Sequence, residues 1–272
     1  MTSRSRSESE VIPAQAGIQV GADTFEVLDL PATATGLPPL LLLHEGLGSV
    51  SMWGSFPSVL AQATGARVVA YSRLGFGKSS ARSMPYTNRF MHEEAFDTLP
   101  PLRRSLGLDR PVLVGHSTGG SMALLHAAHD PAGVAGVVAM APLLDVEDGN
   151  LASIREARRI FEGTAWRQKL ARHHDHPIDQ VFTAWNDTWL APGFREWTIV
   201  ADLATLRCPV LAIVGRDDPY STPRQLDLLA QGATRAARIE RLELAECGHV
   251  PYRDHPDTVR DAIAAYVHGL GA

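Results

Sequence analysis

The clearest chemistry in this sequence lies in five residues, Gly115-His116-Ser117-Thr118-Gly119. An apolar run, Val112-Leu113-Val114, leads into them, and Gly120 and a helical pattern follow. A serine at the apex of a tight strand-to-helix turn has a strained backbone and an exposed hydroxyl. Small residues two before and two after let neighbouring backbone pass without clash. The start of the following helix brings N–H groups and positive dipole to the same place, which suits a developing oxyanion. A serine hydroxyl is a weak nucleophile and needs a base. Of the 11 histidines, His249 in Glu246-Cys247-Gly248-His249-Val250-Pro251 is best placed. It follows the last strand pattern and precedes the last helix pattern, at the edge where open α/β sheets put their sites. Such a base needs a carboxylate to orient it. Ala212-Ile213-Val214-Gly215-Arg216-Asp217-Asp218-Pro219 ends another apolar run with two acids on its turn, which gives the order Ser117, Asp218, His249. That order is one of three in which serine hydrolases arrange the same geometry.

These side chains need a frame. Short apolar runs at 40–43, 67–71, 111–114, 134–140 and 209–214 read as buried strands, with 241–244 as a sixth. Residues 24–30 alternate like a half-buried strand. Helical patterns at 55–64, 91–106, 119–129 and 258–267 lie between them. Such alternation predicts an α/β fold, a mostly parallel central sheet with helices on both faces. The rhythm stops from 145 to 202, where only helices and loops are expected, including 154–161 and 178–185. This stretch holds Trp166, Trp185, Trp189 and Trp197 and reads as a helical cap inserted into a core of 21–144 and 203–272. Trp185, Trp189 and Trp197 are the candidate substrate-binding residues, although most of these tryptophans are expected to hold the insertion together. Residues 1–20 read as a disordered tail, because Met1 to Glu10 has almost nothing to bury and no apolar stretch of a secretory signal.

Composition narrows the function classes. With 272 residues the chain buries a sizeable core and needs no disulfide or metal to fold. A net charge of −5 without a basic block beyond the N-terminus argues against nucleic acid as a partner. No apolar run reaches membrane-spanning length. The two cysteines, Cys208 and Cys247, make no CxxC pair and are expected as free thiols in a reducing, cytoplasmic compartment, without zinc. The expected partner is a small-molecule substrate, with no cofactor and no metal.

From about Leu37 to His268 the chain resembles the α/β-hydrolase superfamily, in the branch of small esterase-like members with a helical cap. Leu41-Leu42-Leu43-His44-Glu45-Gly46-Leu47-Gly48 resembles that family's apolar strand and His-Gly-x-x-Gly loop. The resemblance implies an oxyanion hole formed by the N–H groups of Gly46 and Thr118. It also favours Asp218, three residues after Gly215, as the triad acid; Asp217 and Asp145 are the other contenders. Ser72-Arg73-Leu74-Gly75-Phe76-Gly77-Lys78-Ser79 resembles the family's Asp-x-x-Gly-x-Gly-x-Ser loop, with Ser72 in place of Asp. Glu45 stands where the family has Gly. A carboxylate there opposes an oxyanion, so its side chain is expected to turn toward an arginine such as Arg73; the other reading gives it a role in the site. His44 and His116 are expected to be packing residues. The implied reaction is acyl transfer to Ser117 from a carboxylic ester with modest apolar groups. Carbon–carbon, lactone, amide or peracid chemistry on the same triad competes with it, as does a receptor-like binding protein with little turnover.

Overall fold

The structure is a computed structural model that describes residues 15–83 and 85–270. Its strands are β1 (Gln15–Val20), β2 (Asp23–Leu30), β3 (Leu40–Leu43), β4 (Val68–Tyr71), β5 (Val112–His116), β6 (Gly136–Met140), β7 (Val210–Gly215) and β8 (Ile239–Leu244). They form one sheet in the order β1-β2-β4-β3-β5-β6-β7-β8. β1 and β2 are antiparallel to their neighbours, and β3 through β8 run parallel.

Alternate side chains on the central strands bury on opposite faces, and this sorts the helices into two layers. Leu41 and Leu43 of β3 join Val69, Leu113 and Val137 on one face, under the helices at 90–105, Thr118–His129 and Arg224–Gly232. Leu40 and Leu42 join Val68, Val114 and Ile213 on the other, under Phe56–Thr64 and Pro256–Leu270. All four leucines of β3 are fully buried, so the sheet centre reads as a continuous apolar run in the sequence.

Three expectations change in detail. The tail was expected to reach residue 20, but Gln15–Val20 pairs with β2 through a turn whose Gly21 takes φ 61°, and Ile18 and Val20 pack on the core. Residues 1–14 lie outside the described residues. The helix expected at 91–106 widens to five-residue turns over Glu94–Thr98 before Leu99–Ser105. Pro100 and Pro101 have no N–H to give to residues 96 and 97, which breaks the regular ladder. The helix at Arg224–Gly232 had no separate forecast.

Between β6 and β7 lie the helices Asp148–Gly163, Trp166–Ala171 and Ile178–Leu190. A capping box between Glu147 and Asn150 opens the first. Phe161 and Phe182 stack at 3.9 Å, and with Leu170 and Val181 they bury against Leu47 and Phe76 from the loops after β3 and β4. The helices are therefore fastened over the carboxyl edge of the sheet. Among the described residues no helix is long and apolar enough to cross a membrane.

Candidate active site

β5 ends at His116 and the next helix begins at Thr118, so Ser117 alone makes the turn, at φ 55° and ψ −123°. A non-glycine residue held there costs about 1–3 kcal/mol, which the surroundings must offset. The Ser117 N–H donates to the Met140 carbonyl at 2.8 Å, and the Ser117 carbonyl accepts from Gly120 N–H at 2.8 Å. A Cβ on Gly115 would lie 2.2 Å from the Gly119 carbonyl oxygen, and one on Gly119 would lie 2.1 Å from that of Leu43. The glycines at these two positions are thus required by close backbone approach.

The structure brings Ser117, His249 and Asp218 together from three separate loops. His249 Nε2 lies 3.0 Å from Ser117 Oγ, and His249 Nδ1 lies 2.8 Å from Asp218 Oδ2 and 3.0 Å from Oδ1. Oδ1 of Asp218 also accepts N–H bonds from Tyr220 at 2.7 Å and Ser221 at 3.1 Å, and the carboxylate is fully buried. The adjacent Asp217 is exposed, while Asp145 pairs with Arg224 at 2.6 Å. Neither reaches the imidazole. A Cβ on Gly215 would lie 2.2 Å from the Cys247 carbonyl, so this glycine lets the histidine loop cross the end of β7. His116 Nε2–H donates to the His249 carbonyl at 2.6 Å. Burial, then the neighbouring His249, pushes the His116 pKa down to about 3, so it stays neutral as a positioning group.

The loop after β3 is held by Arg73. Its guanidinium donates to the carbonyls of His44 at 2.6 Å and Glu45 at 2.7 Å. That fixes the backbone of the loop, and Gly46 lines the cavity. Among the described residues neither Gly46 N–H nor Thr118 N–H has a protein acceptor. His44 Nδ1–H donates to the Glu45 carbonyl at 2.8 Å, while Nε2 accepts from Arg73 N–H at 3.1 Å. Burial and then Arg73 hold its pKa well below the usual histidine range, so it stays neutral. The expectation for Glu45 is corrected here. Arg73 takes its backbone carbonyl, and its carboxylate Oε2 accepts the Leu47 N–H at 2.6 Å. Oε1 has no hydrogen bond among the described residues, and Glu45 lines the cavity above Ser117. Burial raises its pKa, opposed by the Leu47 N–H and Arg73. The carboxylate missing at Ser72 comes from β2, where Glu26 Oε2 accepts from Ser72 Oγ at 2.6 Å and Lys78 N–H at 3.0 Å.

The Alpha/beta hydrolase family matches residues 40–262. The chain belongs to that family. It is similar to a proline iminopeptidase of Levilactobacillus brevis, 39% identical with 85% of this chain and 86% of the relative covered. Its fold is shared by the enol-lactonase of Burkholderia xenovorans LB400, with TM-score 0.71, 18% identity and 92% and 98% of the two chains covered. A thermophilic esterase of Thermogutta terrifontis gives TM-score 0.70 and 23% identity over 95% of this chain and 100% of the other.

Above Ser117, this α/β hydrolase has a cavity of about 270 Å³ lined by Glu45, Gly46, Thr118, His249 and mainly apolar side chains. Trp185 and Trp189, two of the three candidate tryptophans, line it. Trp197 does not; it stacks on Phe194 at 5.4 Å, inside the core. Trp166 does line it, and so does Arg253. Sequence reasoning missed both, along with the holding role of Arg73, because nothing in their spacing shows which way a loop side chain turns. Trp185 covers Gly46 so closely that a Cβ there would lie 2.4 Å from its Nε1. Cys208 and Cys247 are buried free thiols, pushed by burial up to about 12 and about 11. Among the described residues no group of three His, Cys, Asp or Glu could hold a metal.

Proposed function

We propose that this protein is a serine hydrolase acting on small to medium carboxylic esters with apolar groups, with Ser117, His249 and Asp218 as its triad. The observation that carries the reading is the unbroken path from Asp218 Oδ2 through both ring nitrogens of His249 to Ser117 Oγ, in steps of 2.8 and 3.0 Å, at the floor of a largely apolar cavity. His249 Nε2 takes the Ser117 proton as Oγ attacks the carbonyl carbon. The N–H groups of Gly46 and Thr118, which have no other acceptor among the described residues, hold the oxyanion. His249 then protonates the leaving group, and a water hydrolyses the acyl-enzyme by the same route. This chemistry calls on neither metal nor cofactor. In the same reading, 145–202 is a cap over the core of 21–144 and 203–272, and Trp185 and Trp189 shape the acyl site.

A second reading is release of an N-terminal residue from a peptide. The free Oε1 of Glu45 in the cavity favours it, since a carboxylate beside the oxyanion is less costly when the substrate brings its own cation. The similar relative's name points the same way. Labelling by a fluorophosphonate probe, lost in Ser117→Ala, tests for a serine hydrolase of either kind. A panel of p-nitrophenyl esters of graded length beside proline p-nitroanilide separates the two. No labelling, and no Ser117-dependent turnover of any member, would sink both readings and leave a binding protein.

A further inference from the structure

Among the described residues Arg253 is the one lysine or arginine lining the cavity. It follows His249 by four residues on the short helix Pro251–Asp254, so the turn that presents the base also presents this guanidinium. Its Nη2 donates to the Met52 carbonyl at 2.7 Å, and the group leans over the Tyr252 ring at 5.7 Å. Among the described residues no carboxylate lies within 4.0 Å of its nitrogens, although 12 other arginines here make such pairs. The Met52 carbonyl and the Tyr252 hydroxyl engage part of the group and leave most of its five donors open. Outside the cavity lining, His173 is tied through Nδ1 to Ser51 Oγ at 2.8 Å, and its pKa is lowered by burial, then by Arg253 and Arg172. The positive charge at the cavity edge is that of exposed Arg253. The carboxylate in the cavity, Glu45, sits beside Gly46 near the reacting end. A cavity with its negative group beside the nucleophile loop and its positive group on the rim gives a substrate a direction. An anionic end is repelled from Ser117 and drawn toward Arg253, and the apolar walls take the segment between.

We propose that Arg253 is a specificity-determining residue that binds a carboxylate on the substrate, remote from the scissile carbonyl, so that the preferred substrates are half-esters or other acyl compounds carrying one free acid group. This rests on the serine-hydrolase reading above. A bidentate guanidinium–carboxylate contact suits the open fork and selects the anion over its neutral ester.

The test uses matched pairs that differ by one charge: monomethyl and dimethyl adipate, with the acid on the acyl side, and 4-acetoxybutanoate and its methyl ester, with the acid on the leaving-group side. Hydrolysis is followed by pH-stat with the full-length protein, Arg253→Met and Arg253→Lys. The expected result is that wild type prefers the anionic member of at least one pair by tenfold or more in kcat/KM. Arg253→Met erases that preference through KM, changes the neutral member less than threefold, and keeps kcat. Arg253→Lys restores part of it. Absence of a preference in both pairs, or an equal loss on anionic and neutral members in Arg253→Met, overturns the proposal. Failure of the underlying reading looks different: no member of either pair is then hydrolysed by wild type in a Ser117-dependent way.

Discussion

Asp218→Asn tests the site most sharply, because the structure dictates how the new amide must lie. Oδ1 of Asp218 accepts from Tyr220 N–H at 2.7 Å and Ser221 N–H at 3.1 Å, whereas Oδ2 faces His249 Nδ1 at 2.8 Å. An asparagine has one oxygen to offer, and the two backbone donors claim it. The amide NH2 then takes the place of Oδ2 and points at His249 Nδ1. That nitrogen has to accept, the ring proton moves to Nε2, and Ser117 Oγ loses its base. Turning the amide over restores the tautomer but sets two buried N–H donors against an NH2. At about 1–3 kcal/mol for each unsatisfied donor, the productive arrangement is disfavoured by about 2–6 kcal/mol. At about 1.4 kcal/mol per decade, kcat falls by about 30-fold to 10⁴-fold, before the lost stabilisation of imidazolium is counted. Both backbone bonds survive, so the thermal melt changes little. Ester hydrolysis and the rate of fluorophosphonate labelling measure the loss, and ¹⁵N NMR of the His249 ring reads the tautomer. Asp217→Asn, at an exposed side chain, should stay within about twofold of wild type. Asp145→Asn should cost only the Arg224 pair, about 0–1 kcal/mol of stability. If Asp218→Asn keeps turnover within tenfold while either control collapses, the assignment of the triad acid is wrong.

Ser117→Ala and Ser117→Gly should both abolish labelling, yet the glycine variant should be the more stable by about 1 kcal/mol, since only glycine relieves the backbone at φ 55°; equal melting temperatures would contradict the strain. Trp189→Ala and Trp197→Ala should each lose about 3–5 kcal/mol, being 1% and 7% exposed, whereas half-buried Trp185→Ala should mainly shift acyl-length preference; an unaltered profile in Trp185→Ala would argue against a pocket wall there. His174 Nδ1 accepts from Gly77 N–H and Nε2–H donates to the Leu47 carbonyl, both at 3.0 Å, which fastens the helical segment to the core. Burial pushes its pKa from 6.5 down to about 4, so the stability it contributes is present above pH 6.5 and lost as pH falls toward 4. His174→Asn should flatten that part of the stability profile measured by chemical denaturation between pH 7 and 4, and an unchanged acid slope would refute the coupling.

The family match and the sheet order agree with the fold expected from the alternation of strand and helix patterns, because continuous apolar runs at 40–43, 68–71 and 112–114, buried on both faces, leave a helix-covered parallel sheet few other solutions. β1 escaped notice: its pattern is short, and only pairing with β2 gives Ile18 and Val20 a surface to bury against. The turn at Ser117 was legible because its cause is local, a strand, a helix start and glycines at fixed offsets. His249 was legible from its place between the last strand and helix. What remained open depended on side-chain direction in loops, which distant groups set. Arg73 takes the Glu45 carbonyl and leaves its carboxylate to Leu47 and the cavity, against the expected ion pair. The N–H groups of Tyr220 and Ser221 aim Asp218 rather than Asp217 at the imidazole. Phe194 draws Trp197 into the core while Trp185 lies over Gly46. Local backbone chemistry is written in neighbouring residues, so the sequence by itself determined the strand-to-helix turn at Ser117, the loop that carries His249 and the sheet that holds them both. The aim of a loop side chain is decided by partners far along the chain, so only the tertiary structure chose among the acids, the tryptophans and the two readings of Glu45.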